Sequence, residues 1–331
     1  EGRMIENSFI LYDNKRIEAD EMFYDEKKSY AKGINNVKVI DTINNTIATS
    51  HFAEVFRAND SIFMTKKPLI QTIAEKDTTY FHAKNIQIVG PDKQRVIKGY
   101  PNARMYRTPD MSGKADSLHY DQKIGLLQLI RRPVLFKDES QLTGDVIHLI
   151  NNVETEKLDS LKVLTNAFVI PKDSLGSGFN QAKGINMYGK FIDDKIRQID
   201  LVQNAEMIYY VYDEEVLKGI DKGICSKIVL ELEDNKITTA TRMINPEGTT
   251  YPPEQFPENA RKLAGFNWRG DERMYSVDEL FSDEELKHDD KAEEEVKKNA
   301  KISEMPMEIQ DKTLNFKRSG KTPNVIKKRS E

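Results

Sequence analysis

One phrase of the chain is written twice in the same register, and it limits what the chain can fold into. Residues 115–120 read Ala115-Asp116-Ser117-Leu118-His119-Tyr120, and residues 144–149 read Gly144-Asp145-Val146-Ile147-His148-Leu149. A small residue, an aspartate, then apolar residues at every second place is the pattern of a half-buried strand. Looser copies stand at Ala19-Asp20-Glu21-Met22-Phe23-Tyr24, Ala53-Glu54-Val55-Phe56, Ala83-Lys84-Asn85-Ile86-Gln87-Ile88, Gly184-Ile185-Asn186-Met187 and Cys225-Ser226-Lys227-Ile228-Val229-Leu230. A second phrase falls between them. Asn102-Ala103-Arg104-Met105 is answered by Pro133-Val134-Leu135-Phe136, Asn166-Ala167-Phe168-Val169 and Asn204-Ala205-Glu206-Met207, at steps of about 31, 33 and 38 residues. Each unit reads as a pair of strands joined by a polar turn. The turn signals are Asn44-Asn45, Pro91-Asp92, Ser112-Gly113, Asp193-Asp194 and Asp234-Asn235.

The period-2 pattern runs from Ile17 to about residue 245, and helical periodicity is absent there. Residues 1–16 read as a polar lead-in and 17–250 as the repeating β region. Residues 251–275 read as a proline-rich linker that carries Trp268 and packs back on the last strands. Residues 276–331 form a charged tail, helical in part or disordered. Ser276 and Ser282 each have glutamate three residues later, a capping-box signature.

Apolar residues are 38% and charged residues 31% of the chain, which suits thin sheets with one wet face. A net charge of -4 supplies no bulk attraction for nucleic acid, and no nucleic-acid partner is expected. The single cysteine excludes an internal disulfide and a multi-cysteine metal site. No apolar run approaches the ~20 residues needed to cross a bilayer as a helix. The start at Glu1 reads as a chain from which a signal or upstream segment has been removed.

Residues two apart in a strand share a face. The repeat therefore gives an inner set of Met22, Tyr24, Phe56, Ile86, Ile88, Leu118, Tyr120, Ile147, Leu149, Met187, Ile228 and Leu230, with Met105, Phe136, Val169 and Met207 from the facing strands. On pattern alone this set is either a closed core with nothing bound or an apolar trough. The residues with reactive side chains follow the repeat. Asp116 and Asp145 are equivalent strand starts and not a catalytic pair. His119 and His148 alternate away from the inner set as a wet-face ladder, and Cys225 takes the small-residue place. Gly176-Ser177-Gly178 lacks the strand-loop-helix setting of a phosphate cradle. No catalytic residue, metal ligand or cofactor is expected.

The stretch Ile97-Lys98-Gly99-Tyr100-Pro101-Asn102-Ala103-Arg104-Met105-Tyr106, then Gly113 to Tyr120, then Leu142-Thr143-Gly144-Asp145-Val146-Ile147, resembles the OstA/LptA family of periplasmic lipopolysaccharide-transport proteins. Ile17-Glu18-Ala19-Asp20 followed by Gly33-Ile34-Asn35-Asn36-Val37 resembles the family's opening phrase, with its glycine-asparagine pair split. The likeness spans about residues 17–245. It implies an all-β fold, a repeat-built open β-jellyroll of antiparallel strands, V-shaped, with the inner set as a groove for lipid A acyl chains. One exposed chain of about 12 carbons costs roughly 10 kcal/mol at ~0.8 kcal/mol per methylene, so such a lipid needs a sheltered path. The implied function is non-catalytic carriage or bridging of lipopolysaccharide to the outer membrane, in the periplasm of a Gram-negative cell. The implied partners are lipopolysaccharide and homologous OstA-like domains, including an outer-membrane assembly partner, joined through free edge strands. The alternatives are a structural or interaction scaffold of the same fold without lipid, and an enzyme on a β-helix, for which no converging carboxylate cluster is found.

Overall fold

The structure is a computed structural model that describes residues 2–12, 14–173, 175–176, 178–234, 236–282 and 285–286. Extended strands account for nearly all of its regular structure. In chain order they are β1 (Gly2–Tyr12), β2 (Lys15–Asp25), β3 (Tyr30–Asp41), β4 (Thr46–Phe56), β5 (Ser61–Thr65), β6 (Leu69–Ile73), β7 (Thr78–His82), β8 (Asn85–Val89), β9 (Val96–Tyr100), β10 (Ala103–Arg107), β11 (Met111–Ala115) and β12 (Ser117–Asp121). They continue as β13 (Leu126–Ile130), β14 (Val134–Lys137), β15 (Ser140–Thr143), β16 (Val146–Asn151), β17 (Leu158–Leu164), β18 (Ala167–Pro171), β19 (Gln181–Gly184), β20 (Asn186–Ile192), β21 (Lys195–Asp213), β22 (Val216–Glu233), β23 (Lys236–Met243) and β24 (Glu247–Tyr251). Every pairing is antiparallel. The fold is all-β and jellyroll-like.

The pairings sort the short strands into two leaves. Leaf 1 runs β5-β8-β9-β12-β13-β16-β17-β20. Leaf 2 runs β6-β7-β10-β11-β14-β15-β18-β19. Long strands join the leaves at both ends. One half of β4 pairs with β5 and the other with β6. At the far end β21 pairs with both β20 and β19, and β22 with both β23 and β24. The chain therefore shuttles between leaves, a hairpin within one leaf alternating with a corner to the other.

The two repeated phrases are the two kinds of corner. Each passage from leaf 1 to leaf 2 uses left-handed residues: Asn35 and Asn36, Lys66 and Lys67, Asn102, Arg131 and Arg132, Thr165 and Asn166, Gln203 and Asn204, Ile244 and Asn245. Asparagine recurs because its short polar side chain tolerates positive φ better than most. Each return passage uses a small residue: Ala19, Ser50, Ala83, Ala115, Gly144, Gly184 and Cys225. A Cβ on Gly144 would lie 2.3 Å from Val163 Cγ1, so a larger residue has no room there. Backbone bonds stack the corners: Lys84 N–H donates to Pro101 O at 3.1 Å, Asp116 N–H to Arg131 O at 3.1 Å and Asp145 N–H to Thr165 O at 3.0 Å.

Several expectations need correction. The lead-in of residues 1–16 forms β1 and the start of β2; its continuous run Phe9-Ile10-Leu11 hides the period-2 signal, and a bulge after Ile5 breaks it. Ser112 and Gly113 do not make a turn but lie buried in β11, where a Cβ on Gly113 would sit 3.1 Å from Leu129 and Met105. In the fourth strand the corner residue is Ser50 and not Ala53, which shifts the reading frame of that copy by three.

After β24 the chain lies as a strap across the outer face of leaf 2. Phe256, Leu263, Trp268, Met274 and Leu280 pack there on Tyr106, Phe136, Phe168, Ile170 and Ile208. The chain divides into a unit of Glu1–Leu280 and one of Phe281–Glu331. In the second unit, Ser282 N–H donates to Glu285 at 2.8 Å and Glu285 N–H to Ser282 Oγ at 3.4 Å, a closed capping box. Ser276 opens no such helix; Glu279 instead accepts from Tyr275 N–H at 2.7 Å, ahead of a single 3-10 turn. The tail from residue 287 onward lies outside the described residues.

Candidate functional site: the cleft between the leaves

Counting from the corners shows which side chains enter the space between the leaves. After each return corner, the second and fourth residues of the leaf 1 strand face inward: Met22 and Tyr24, Ile86 and Ile88, Leu118 and Tyr120, Ile147 and Leu149. Met187 and Ile228 take the second place in later rungs. After each outgoing corner, the first and third residues of the leaf 2 strand face inward: Ala103 and Met105, Ala167 and Val169, Ala205 and Met207. The buried cluster contains Met22, Ile86, Ile88, Met105, Leu118, Ile147, Leu149, Met187 and Met207, with Tyr120 and Val169 packed against it at partial exposure. Tyr24 is half-buried and its hydroxyl accepts from Arg57 at 2.9 Å.

Two expected members of the set lie elsewhere. Phe136 is 1% exposed but faces outward, edge-on to Trp268 with ring centroids 6.5 Å apart under the strap. Its inward counterpart is Leu135, which a Cβ on Gly113 would approach within 3.2 Å. The corner at Arg131 and Arg132 puts Pro133 in register with Ala103, and a one-residue slip exchanges the faces. Phe56 is 38% exposed and closes an outer aromatic group, its ring centroid 5.4 Å from that of Tyr30, which in turn lies 6.3 Å from that of Phe23. Val55 faces the cleft in its place, packed on the buried cluster. Sequence reasoning also missed Ile70, fully buried two places after Pro68, whose signal is the same corner spacing.

Two cavities lie in the cleft among the described residues. The larger, about 530 Å³, opens between the later strands of the leaves. Leu149, Val169, Met187 and Met207 line it with Leu135, Phe191, Ile199 and Leu230. The other, about 480 Å³, has Phe81, Met105, Leu127 and Leu149 as its floor and Asp77, Lys93, Arg107, Gln122 and Glu156 at its rim. Both volumes fall in the range of small-molecule sites, and the apolar walls of the larger, with Lys137, Lys172 and Asp173 among its lining, suit an amphiphile.

Towards the N-terminal end the rim is bridged. Lys15, Asp41 and Asn44 on leaf 2 meet Asp92, Arg95 and Gln122 on leaf 1. Arg95 Nη1 lies 2.6 Å from Asp41 Oδ2, and Lys15 Nζ 3.1 Å from Asp92 Oδ1. Gln122 Nε2 and Lys93 N–H both donate to Asn44 Oδ1, at 3.0 Å each. The Asp41 and Arg95 side chains are 2% and 12% exposed. Burial pushes the Asp92 carboxyl up, but Lys15, Arg95 and Asn44 together outweigh it and hold the group below the usual carboxylate range.

The other polar residues of the repeat have structural partners. Asp20 accepts from Asn36 at 2.9 Å and Asp145 from Asn166 at 3.1 Å, each tying a return corner to an outgoing one. Asp116 pairs with Arg131 at 3.5 Å. His119 and His148 stand on the outer face of leaf 1 in a row with Lys98, Gln128 and Lys162. Burial and the adjacent lysines push both imidazoles below their ordinary value. Cys225 is buried at its corner and donates to Lys227 O. No group of three or more His, Cys, Asp or Glu that could hold a metal occurs among the described residues.

No helix among the described residues is long and apolar enough to cross a membrane. No family model matches the chain, and no curated protein matches it. Among solved structures, the chain is similar to LptH, the LptA-homologous periplasmic component of the lipopolysaccharide transport device of Pseudomonas aeruginosa. The identity is 18% and the TM-score 0.30, over 33% of this chain and 76% of that one. A likeness of that degree transfers no activity by itself.

Proposed function

We propose that this chain is a non-catalytic carrier or bridge for lipopolysaccharide in the periplasm of a Gram-negative cell, sheltering lipid A acyl chains between its leaves on the way to the outer membrane. The observation that carries this reading is the cavity of about 530 Å³, walled by Leu149, Val169, Met187 and Met207 and open at its rim. Acyl chains gain by leaving water for such a space, and the polar head stays outside. Methionines in the wall accommodate chains of variable position. The sequence phrases that resemble those of the OstA/LptA family support the same ligand. Among the described residues β1 pairs only with β2, and β23 and β24 each only with β22; these edges offer sites for adding strands of homologous domains.

The test is photo-crosslinking in cells, with a photoreactive residue placed in turn at Leu149, Val169, Met187 and His119. Lipopolysaccharide adducts at the first three and none at the outward His119 are expected. Adducts from His119 alone exclude the reading.

The bridged rim favours a second reading, a scaffold of the same fold that holds no lipid. Purified protein that never carries lipid through extraction and mass spectrometry, yet still captures an outer-membrane partner, would establish it.

A further inference from the structure

We infer that the charged latch at the rim divides the cleft, so that bound hydrocarbon lies only in the stretch from β11 to β23 and stops short of the N-terminal rungs. This rests on the carrier reading above and adds which part of the cleft is used and which residues set its limit.

Three features of the cleft change together along its length. At the N-terminal end the rims are joined by ion pairs between leaves, Arg95 with Asp41 at 2.6 Å and Lys15 with Asp92 at 3.1 Å. Beneath them the leaves touch. Ile62, Met64, Ile70, Ile86 and Ile97 are 0–7% exposed, and the rings of Phe81 on leaf 2 and Tyr120 on leaf 1 are 5.8 Å apart. Next comes the smaller cavity, whose lining mixes Ile43, Ile73 and Val153 with Asp77, Lys93 and Glu156, and where Arg107 of leaf 2 reaches Asn151 of leaf 1 at 3.5 Å. Beyond it lies the larger cavity with its apolar walls. Among the described residues of this region, Lys137 pairs with Asp110 along leaf 2 and Lys157 with Asp193 along leaf 1.

A hydrocarbon chain extended into the N-terminal rungs would have to part Asp41 from Arg95. Both are largely removed from water, and separation by a methylene chain takes from each its charged partner across the gap, leaving Asp41 the hydrogen bonds from Asn44 and Arg95 the pair with Asp92. It would also have to separate close-packed side chains. In the later rungs neither cost arises, because the space is already open. The latch residues thus act on the ligand by exclusion; none needs to touch it.

The experiment uses the full chain, with benzoylphenylalanine placed singly at Val169 and Tyr209 in the open stretch and at Val55 and Ile88 in the latched one. Purified rough-type lipopolysaccharide and a diazirine-bearing palmitate serve as separate probes. Adducts at Val169 and Tyr209 should exceed those at Val55 and Ile88 at least tenfold with both probes. Equal labelling at Val55 and Val169 overturns the partition and leaves the carrier reading standing. Labelling at none of the four positions overturns both. Arg95→Gln should raise Ile88 labelling to within about twofold of Val169, and unchanged Ile88 labelling in a folded variant overturns the role of the latch. Should Arg95→Gln not fold, Asp41→Cys with Arg95→Cys, joined by a short bis-maleimide, replaces it. Val169 labelling should then be unchanged, and its loss overturns the inference.

Discussion

Arg95 and Asp41 stand on opposite leaves, 2.6 Å apart, and join the two rims where no sheet hydrogen bond runs. Removing one member of such a buried pair costs more than removing both, because the survivor is left charged and dry. Arg95→Met should lower the free energy of unfolding by about 3 kcal/mol. Asp41→Asn added to it should cost much less than a second such increment. A double-mutant cycle from urea denaturation measures the coupling.

The same latch fixes an acid limit. The folded Asp92 carboxyl titrates below its unfolded value of 3.8, so the stability it contributes is present above that pH. It is lost as pH falls through the lower folded value. Unfolding free energy should therefore decline below about pH 4, and Asp92→Asn should flatten that part of the profile in a pH series of denaturation curves.

Trp268 is the only tryptophan, which makes its fluorescence a reporter of the strap. Two buried glutamines hold the strap by both ends of their amides. Gln141 donates to Asn267 O at 2.7 Å and accepts from Arg269 N–H at 2.6 Å. Gln181 donates to Arg261 O and accepts from Leu263 N–H, both at 2.8 Å. Gln141→Leu leaves a strap donor and acceptor unpaired, at about 1–3 kcal/mol each. It should red-shift Trp268 emission and bring its quenching by acrylamide closer to that of free tryptophan. The hydrogen bond from Arg269, with help from Lys114, holds Glu272 down at about 2 against an ordinary 4.5. Its contribution is complete above 4.5 and lost as pH falls towards 2. The emission should shift in that window in the parent protein, and less so in Glu272→Gln.

The two faces of β14 and β18 separate stability from binding. Phe136→Ala removes a ring packed under the strap and should cost about 3–5 kcal/mol in stability, with the affinity for a fluorescent fatty acid changed by less than about twofold. Val169→Trp fills the larger cavity and should weaken that affinity at least about tenfold, or ~1.4 kcal/mol. Fluorescence titration and thermal melts on both variants check the pair of outcomes.

The corners give a backbone prediction. Asn102 has φ of 58°. Asn102→Gly should be close to neutral in melting temperature, whereas Asn102→Val should lose at least about 1–2 kcal/mol, because a β-branched residue is strained in the left-handed region.

The repeat made the strand class legible, and most inward positions with it, because alternation and burial share one period. Met22, Leu118, Ile147 and Met187 were found that way. The frame slipped where corner chemistry varies. Arg131 and Arg132 replace the asparagine of other corners, which misassigned Phe136. Ser50 replaces the usual alanine or glycine, which misassigned Phe56. The strap and the latch left no periodic signal. Gln141, Gln181, Asp41 and Arg95 are ordinary polar residues in sequence. Their roles arise from partners 54 to 128 positions away, which no local pattern encodes.

The strap gives the two walls of the cleft unequal stiffness. Leaf 2 is clad on its outer side as well as its inner one, whereas the back of leaf 1 carries Lys98, Gln128 and Lys162 towards solvent. If the gap must widen to admit cargo of different girth, the bending falls to leaf 1, with leaf 2 serving as the fixed jaw. Amide exchange should show it: β13 and β16 protected less than β14 and β15 across from them, by a margin that shrinks once cargo is aboard.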